Sequence, residues 1–128
     1  MHEHEVRALM DKIAAAMDPE LEYELRSEDF TVEFPQSGEL FDRDGLRELQ
    51  RHFPGGPPRV ELRQVSGCGD VWAVGMVLTY ADGAVFHGVN VLEFSGGLIR
   101  KETRVYGAPF EAPAWRAGWA RRIEAPSG

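Results

Sequence analysis

The chain has 128 residues, of which 43% are hydrophobic, enough for one hydrophobic core and too few for two, so we expect a single domain over residues 1–128. Its net charge is −7 and its basic residues cluster only near the C-terminus, which argues against nucleic acid or anionic membranes as partners. The single cysteine excludes an internal disulfide, no apolar run approaches the roughly 20 residues of a membrane span, and the charged start is unlike a signal peptide, so we expect a cytoplasmic protein.

Helical periodicity dominates the start of the chain. Apolar residues from Val6 to Met17 recur at helical spacing and predict a first helix. Asp18-Pro19 is typical of a helix start and predicts a second, short helix to about Ser27. The apolar side chains expected to face inward from it are Leu21 and Leu25.

A small hairpin is predicted next, because Phe30–Phe34 is β-prone and Glu39–Phe41 can return as its partner. Asp42 or Asp44 can cap a third helix, which Pro54–Pro58 ends. That helix places on one face the apolar side chains of Leu46, Leu49 and Phe53.

From Arg59 onward the hydrophobic period changes to two. Tight turns join the strands that follow, so we expect them to be antiparallel. The four runs are Val60 to Val65, Val71 to Tyr80, Ala84 to Phe94, and Leu98 to Tyr106. Trp115 and Trp119 then predict a last amphipathic turn or helix that seals the sheet or a dimer edge. Helices first and strands last predict an α+β domain.

This order of elements resembles the nuclear transport factor 2-like superfamily, and within it the SnoaL-like, or polyketide-cyclase-like, group. The segments that carry the resemblance are Val32–Glu39 with the helix start Asp44–Leu46, Val89–Phe94 before a glycine turn, and the tail Tyr106–Trp119. The resemblance implies a curved antiparallel β-sheet cone with three N-terminal helices packed on its concave face, where they close a deep cavity. It also implies a homodimer through the outer sheet face and no cofactor.

The known enzymes of this superfamily have catalytic acids that this chain lacks. In ketosteroid isomerase the general base is an aspartate just before the hairpin proline, where this chain has Phe34. Polyketide cyclases and limonene epoxide hydrolase use an aspartate near the end of the last strand, which falls close to Gly107. The oxyanion-site aspartate of ketosteroid isomerase matches Asn90, whose amide can donate a hydrogen bond without a raised pKa. None of these activities transfers directly.

A turn at Ala81–Gly83 would place the bulky side chains of two strands on one face, which is suited to lining a pocket. These side chains are Trp72, Val74, Met76, Leu78, Tyr80, Phe86, Asn90, Leu92 and Phe94. The other face carries small residues and valines together with His87, and we expect it to be a dimer surface.

The face presented by the last strand depends on the turn at Ser95–Gly97. If all three residues form the loop, Glu102 lies across from Asn90, and the inward side chains are Arg100, Glu102, Arg104 and Tyr106. If Gly96 and Gly97 alone form the turn, Glu102 points outward, and the inward side chains are Lys101, Thr103 and Val105. We favour the first register, because the resemblance to ketosteroid isomerase puts pocket residues at Glu102 and Tyr106.

Three functions are compatible with these residues. The first is a binding module for a small hydrophobic or carbonyl-bearing molecule, with ligand-binding residues Phe34, Trp72, Met76, Tyr80, Phe86 and Leu92. The second is a cofactor-independent cyclase, isomerase or hydrolase, with catalytic residues Glu102, Asn90 and Tyr106. The third is a dimeric scaffold without ligand chemistry. Glu102 could equally be a carboxylate paired with Arg100 or Arg104, and we predict no metal site, because His2 and His4 lack a third ligand.

Overall fold

A computed structural model describes residues 1–123 as three helices, six strands and one 3₁₀ turn, which confirms the predicted α+β class. The helices are α1 (Glu3–Ala16), α2 (Pro19–Glu24) and α3 (Arg43–Arg51). The strands are β1 (Arg26–Phe34), β2 (Glu39–Asp42), β3 (Arg59–Cys68), β4 (Val71–Thr79), β5 (Val85–Ser95) and β6 (Leu98–Gly107). The 3₁₀ turn spans Ala114–Arg116. Within residues 1–123 no helix is both long and apolar enough to cross a membrane.

All six strands form one sheet, in the order β2-β1-β6-β5-β4-β3. The four strands from β3 to β6 form the predicted antiparallel meander, and β1 and β2 form the predicted hairpin. The hairpin joins the meander through β1 and β6, which run parallel, so the sheet is mixed rather than wholly antiparallel. A parallel pair needs a long crossover, and α3 with the meander supplies it.

Helix α2 is shorter than its sequence pattern suggests. Asp18 caps it by accepting a hydrogen bond from the Glu20 backbone N–H at 3.0 Å, as predicted. It ends at Glu24 rather than near Ser27, because β1 already starts at Arg26. The predicted inward leucines are also wrong: Leu21 and Leu25 are half-buried, and the buried side chain of this helix is Glu22.

The core lies between the concave side of the sheet and the helices. Helix α1 packs against β3, and α3 packs against β1 and α2. Asp42, the residue before α3, accepts a hydrogen bond from the Gly45 backbone N–H at 2.7 Å and fixes the start of that helix. The fully buried apolar side chains are Val6, Phe30, Val32, Leu46, Val74 and Leu92.

A β-bulge in β6 sets which side chains of that strand face the core. Ser95 pairs with Leu98, so Gly96 and Gly97 alone form the turn, and both have the positive φ of a type I′ hairpin. The predicted three-residue loop is therefore wrong. Further along, Glu93 pairs with Lys101 while Phe94 pairs with Ile99, which leaves Arg100 as an extra residue on β6.

Because of the bulge, three of the four β6 side chains predicted to face inward do so, although the turn differs from the predicted one. Glu102 and Tyr106 line the inner side, as expected, but Glu102 lies opposite Leu92 rather than Asn90. Arg104 is the residue opposite Asn90. Arg100, expected inward, is exposed and lies 3.5 Å from Asp29 on the outside.

The prediction that the segment after β6 seals the sheet is wrong for the sheet of its own chain. Trp115 and Trp119 are 75% and 84% exposed, and Phe110 is 80% exposed. Between Gly107 and the 3₁₀ turn, residues 108–113 form neither helix nor strand, and the three rings project from the domain.

Candidate functional site

A cavity of about 370 Å³ lies between the helices and the inner face of the sheet. Its walls are mostly apolar and include Met10 and Ile13 of α1, Leu46 and Leu49 of α3, Leu62 of β3 and Met76 of β4. This volume and lining are typical of sites for small, largely apolar molecules.

The polar groups of the cavity lie where β5 and β6 meet α2 and α3. They are Asn90 of β5, Glu102, Arg104 and Tyr106 of β6, Tyr80 after β4, and Glu22, Arg26 and Gln50 beside them. Four of these are charged, with two arginines and two glutamates, and they form two ion pairs. A fifth charged residue, Arg51 of α3, also borders the cavity but is exposed and pairs with Glu20 and Glu48.

The first ion pair joins neighbouring inward positions of β6. The Nη2 atom of Arg104 donates a hydrogen bond to Oε2 of Glu102 at 2.9 Å, and the two side chains are 14% and 4% exposed. Burial by itself lowers the pKa of Arg104, but Glu102, Tyr106 and Glu22 together outweigh it, so the net pKa is raised and the guanidinium stays charged. Of the two arginine partners considered for Glu102, Arg104 is the one present.

The second ion pair links α2 to the first residue of β1. Arg26 lies 3.5 Å from Glu22, and Gln50 of α3 bridges them by donating to Glu22 at 3.1 Å and accepting from Arg26 at 3.4 Å. Burial raises the pKa of Glu22, although Arg26 and Arg104 partly oppose the shift. Burial also lowers the pKa of Arg26, to about 10.

Sequence reasoning missed this second pair. Glu22 and Arg26 stand four residues apart, a spacing usually associated with a solvated salt bridge on a helix surface. The pair is buried because the helix ends between the two residues and the chain turns inward into β1. No local pattern marks that change.

Asn90 is buried in the wall of the cavity, with 5% of its surface exposed. Its Oδ1 atom has no hydrogen-bond partner among residues 1–123. Opposite it, Arg104 has an Nε atom that is also buried and without a partner in the same part of the chain. Buried polar groups without partners are rare in native proteins, so each calls for an explanation.

Tyr106 owes its position to a glycine on the neighbouring strand. Gly88 pairs with Tyr106, and a Cβ atom built on Gly88 would lie 2.6 Å from the tyrosine ring. Only a residue without a side chain lets the ring lie flat against β5 at this point. Tyr80 has its ring stacked on Phe53, with centroids 5.3 Å apart, and burial raises its pKa.

Three of the six residues predicted to bind ligand line the cavity, namely Phe34, Met76 and Tyr80. The other three, Trp72, Phe86 and Leu92, do not belong to its wall. Trp72 and Leu92 pair with each other at the start of β4, where the indole N–H donates a hydrogen bond to the Gly69 carbonyl oxygen at 2.9 Å. Phe86 packs edge-on behind the Tyr80 ring. All three share the inner face, but Trp72 and Leu92 pack in the core and Phe86 packs against Tyr80.

Comparison with known proteins identifies relatives along most of the chain. The sequence model of the SnoaL-like domain family matches residues 6–102. An NTF-2-like protein of unknown function from Burkholderia xenovorans LB400 is 33% identical, with a TM-score of 0.83 over 97% of this chain and 99% of that chain. No protein with a curated description matches significantly.

Two further solved structures share the fold. A protein provisionally described as a ketosteroid isomerase, from Kribbella flavida DSM 17836, is 25% identical, with a TM-score of 0.80 over 97% of this chain and 93% of that chain. A bacterial protein with a cystatin-like fold from Silicibacter pomeroyi DSS-3 is 23% identical, with a TM-score of 0.65 over 87% of this chain and 76% of that chain. The likeness to the Silicibacter pomeroyi protein concerns the fold alone.

The raised pKa of Glu22 predicts a specific pH dependence of stability. Between the 4.5 of a solvated glutamate and the raised value, the folded protein keeps a proton that the unfolded chain releases. The contribution of Glu22 to the free energy of unfolding therefore falls as pH rises through that window. Glu22→Gln should remove this decline, which urea unfolding at a series of pH values would measure.

The matched control is Glu24→Gln, an exposed glutamate on the same helix, which should follow the wild-type pH profile. A Glu22→Gln profile that runs parallel to the wild-type profile above pH 4.5 would contradict this assignment of the shift.

Proposed function

We propose that this chain, which belongs to the SnoaL-like domain family, binds a small, largely apolar molecule in the cavity, with the polar end of the molecule beside Asn90 and Arg104. The observation that carries the proposal is the buried Oδ1 of Asn90, which has no partner within residues 1–123 and lies in the wall of a mostly apolar cavity. A ligand group there would satisfy it. Membership of the family does not select the ligand, because one fold supports many functions.

The apolar walls supply the affinity in this proposal. A ligand that buries about 200 Å² of apolar surface gains about 5 kcal/mol at about 25 cal/mol per Å². Association consumes much of such a gain, so the polar contacts decide which molecule is held. We therefore expect weak binding of generic apolar probes and tighter binding of the correct ligand.

Filling the cavity should abolish this binding. Leu62→Trp adds an indole from β3 into the space, and we expect the affinity for 2-acetonaphthone, a flat ketone probe, to fall at least about ten-fold because the two rings compete for one volume. Isothermal titration calorimetry measures the change. Glu61→Trp, which adds the same ring at the exposed neighbouring position, is the control and should bind as wild type does. Equal affinity in Leu62→Trp would place the probe elsewhere, for example on the exposed aromatic tail.

A second candidate function is proton transfer within the same cavity. Glu102 is 4% exposed, lines the cavity and lies on the same strand face as Tyr106, so it can meet a bound carbonyl compound without water between them. Asn90 and Tyr106 would polarise the carbonyl while Glu102 takes a proton from the adjacent carbon.

Deuterium exchange tests this second candidate. If Glu102 is the base, wild-type protein in D₂O should accelerate exchange of the methyl protons of 2-acetonaphthone, measured by proton NMR. Glu102→Gln keeps the shape but cannot accept the proton, so it should lose the acceleration and retain affinity within a few-fold. Glu93→Gln, on the outer side of β5, should behave as wild type. No acceleration by the wild-type protein would eliminate the proton-transfer function and leave binding.

We also propose that two copies pair through the outer face of the sheet. Four valines on this face keep a third to a half of their surface exposed, namely Val71, Val85, Val89 and Val105. Val89 and Val105 pair across β5 and β6, and Val71 and Val85 lie toward the two ends of the same face, so a monomer would leave this apolar face in water.

Charge placed on this face should separate the two copies. We expect light scattering with size-exclusion chromatography to give twice the 14.3 kDa chain mass for wild type and the single-chain mass for Val89→Arg. Leu40→Arg, at an exposed apolar site on the far edge strand β2, is the control and should remain dimeric. A wild-type mass of one chain at micromolar concentration would refute the dimer.

A further inference from the structure

We propose that the molecule held in the cavity has an uncharged head group in which a hydrogen-bond donor lies next to an acceptor, as in a primary amide or a lactam. The inference rests on the proposed binding function and narrows it to one chemical class. Two independent features of the polar end carry it, the unpaired groups of Asn90 and Arg104 and the balance of charge around them.

To satisfy the two unpaired groups, the ligand must supply a hydrogen-bond donor and a hydrogen-bond acceptor at the same time. The Oδ1 of Asn90 is a buried acceptor without a partner in residues 1–123, and the Nε of Arg104 is a buried donor without one in the same range. The two residues face each other across β5 and β6, and both line the cavity. A carbonyl oxygen would satisfy Arg104, and an adjacent N–H would satisfy Asn90.

The terminal amide of Asn90 strengthens this choice. A side-chain amide presents an acceptor and donors side by side, and the natural complement of that pattern is a second amide that runs in the opposite sense. A ketone or ester fills only half of the pattern, since it has no proton to donate, and would leave a buried acceptor unpaired once water is excluded.

The two ion pairs at the polar end of the cavity disfavour a charged head group. Each carboxylate already has its own arginine, with Glu102 at 2.9 Å from Arg104 and Glu22 at 3.5 Å from Arg26. A ligand carboxylate or ammonium would have to break one of these pairs or remain buried without a counter-charge, and both are unfavourable. The polar end therefore offers directional hydrogen bonds without net charge.

Three probes of one shape test the inference on the full chain. They are 2-naphthamide, 2-acetonaphthone and 2-naphthoate, which share the ring and carbonyl and differ only in an amino, methyl or oxide substituent. By titration calorimetry at pH 7 we expect the amide to bind about ten-fold more tightly than the ketone, because the ketone leaves Asn90 unpaired. The carboxylate should bind most weakly. In Asn90→Leu, which keeps the volume and removes the hydrogen bonds, the ratio of amide to ketone affinity should fall to about one.

Each outcome has one meaning. Equal affinity of amide and ketone for wild type, or a preference that persists in Asn90→Leu, overturns the inference and leaves the binding function intact. Tightest binding of the carboxylate overturns the requirement for a neutral head. If none of the probes binds to folded wild type, the binding function fails and the inference fails with it. Should Asn90→Leu not fold, Asn90→Ser serves in its place, and the wild-type ratio of amide to ketone remains decisive by itself.

Discussion

One extra residue in β6 decides what the cavity of this protein contains. Strand residues alternate between the two faces of a sheet, so the turn at Gly96-Gly97 by itself would direct Ile99 inward and Glu102 outward. Arg100 forms the bulge that restores Glu102 and Arg104 to the inner face. Without that bulge, the last strand would present Lys101, Thr103 and Val105 to the cavity. The contacts proposed for Glu102, Arg104 and Tyr106 depend on this single change of register, whereas Asn90 is supplied by β5.

The charged groups that the bulge brings inward stabilise each other and limit the chemistry of the site. The hydrogen bond that Glu102 accepts from Arg104 at 2.9 Å holds its side chain in place and restricts its freedom to act as a base. The pair of Glu22 and Arg26 lies across the same space and completes the balance of charge. A site of this kind recognises molecules by hydrogen-bond direction and shape, which is why Asn90 carries more of the argument than the charged residues around it.

The sequence predicts much of this architecture, because helix caps, glycine turns and alternating apolar residues are local signals. Asp18 and Asp42 cap helices as predicted, and the pairing of β4 with β5 follows from the turn at Ala81–Gly83. The bulge at Arg100 has no such signal, since the chain there reads equally well in either register. Periodicity also cannot distinguish a cavity wall from core packing on the same face. Trp72, predicted to bind ligand, therefore packs in the core instead of lining the cavity.

Disulfide trapping across β5 and β6 tests the register most directly. Val91→Cys would be combined in turn with Thr103→Cys, Glu102→Cys or Lys101→Cys in a chain that also carries Cys68→Ser, and cross-linking under mild oxidation would be measured by mass spectrometry. The bulged register places Thr103 opposite Val91 and predicts efficient cross-linking of that pair alone. Preferential cross-linking to the cysteine at Glu102 would indicate the two-residue turn without a bulge. Preferential cross-linking to the cysteine at Lys101 would indicate the three-residue loop. Cross-linking to Glu102 would contradict the placement of Glu102 and Arg104 in the cavity, and cross-linking to Lys101 would contradict the pairing of Arg104 with Asn90.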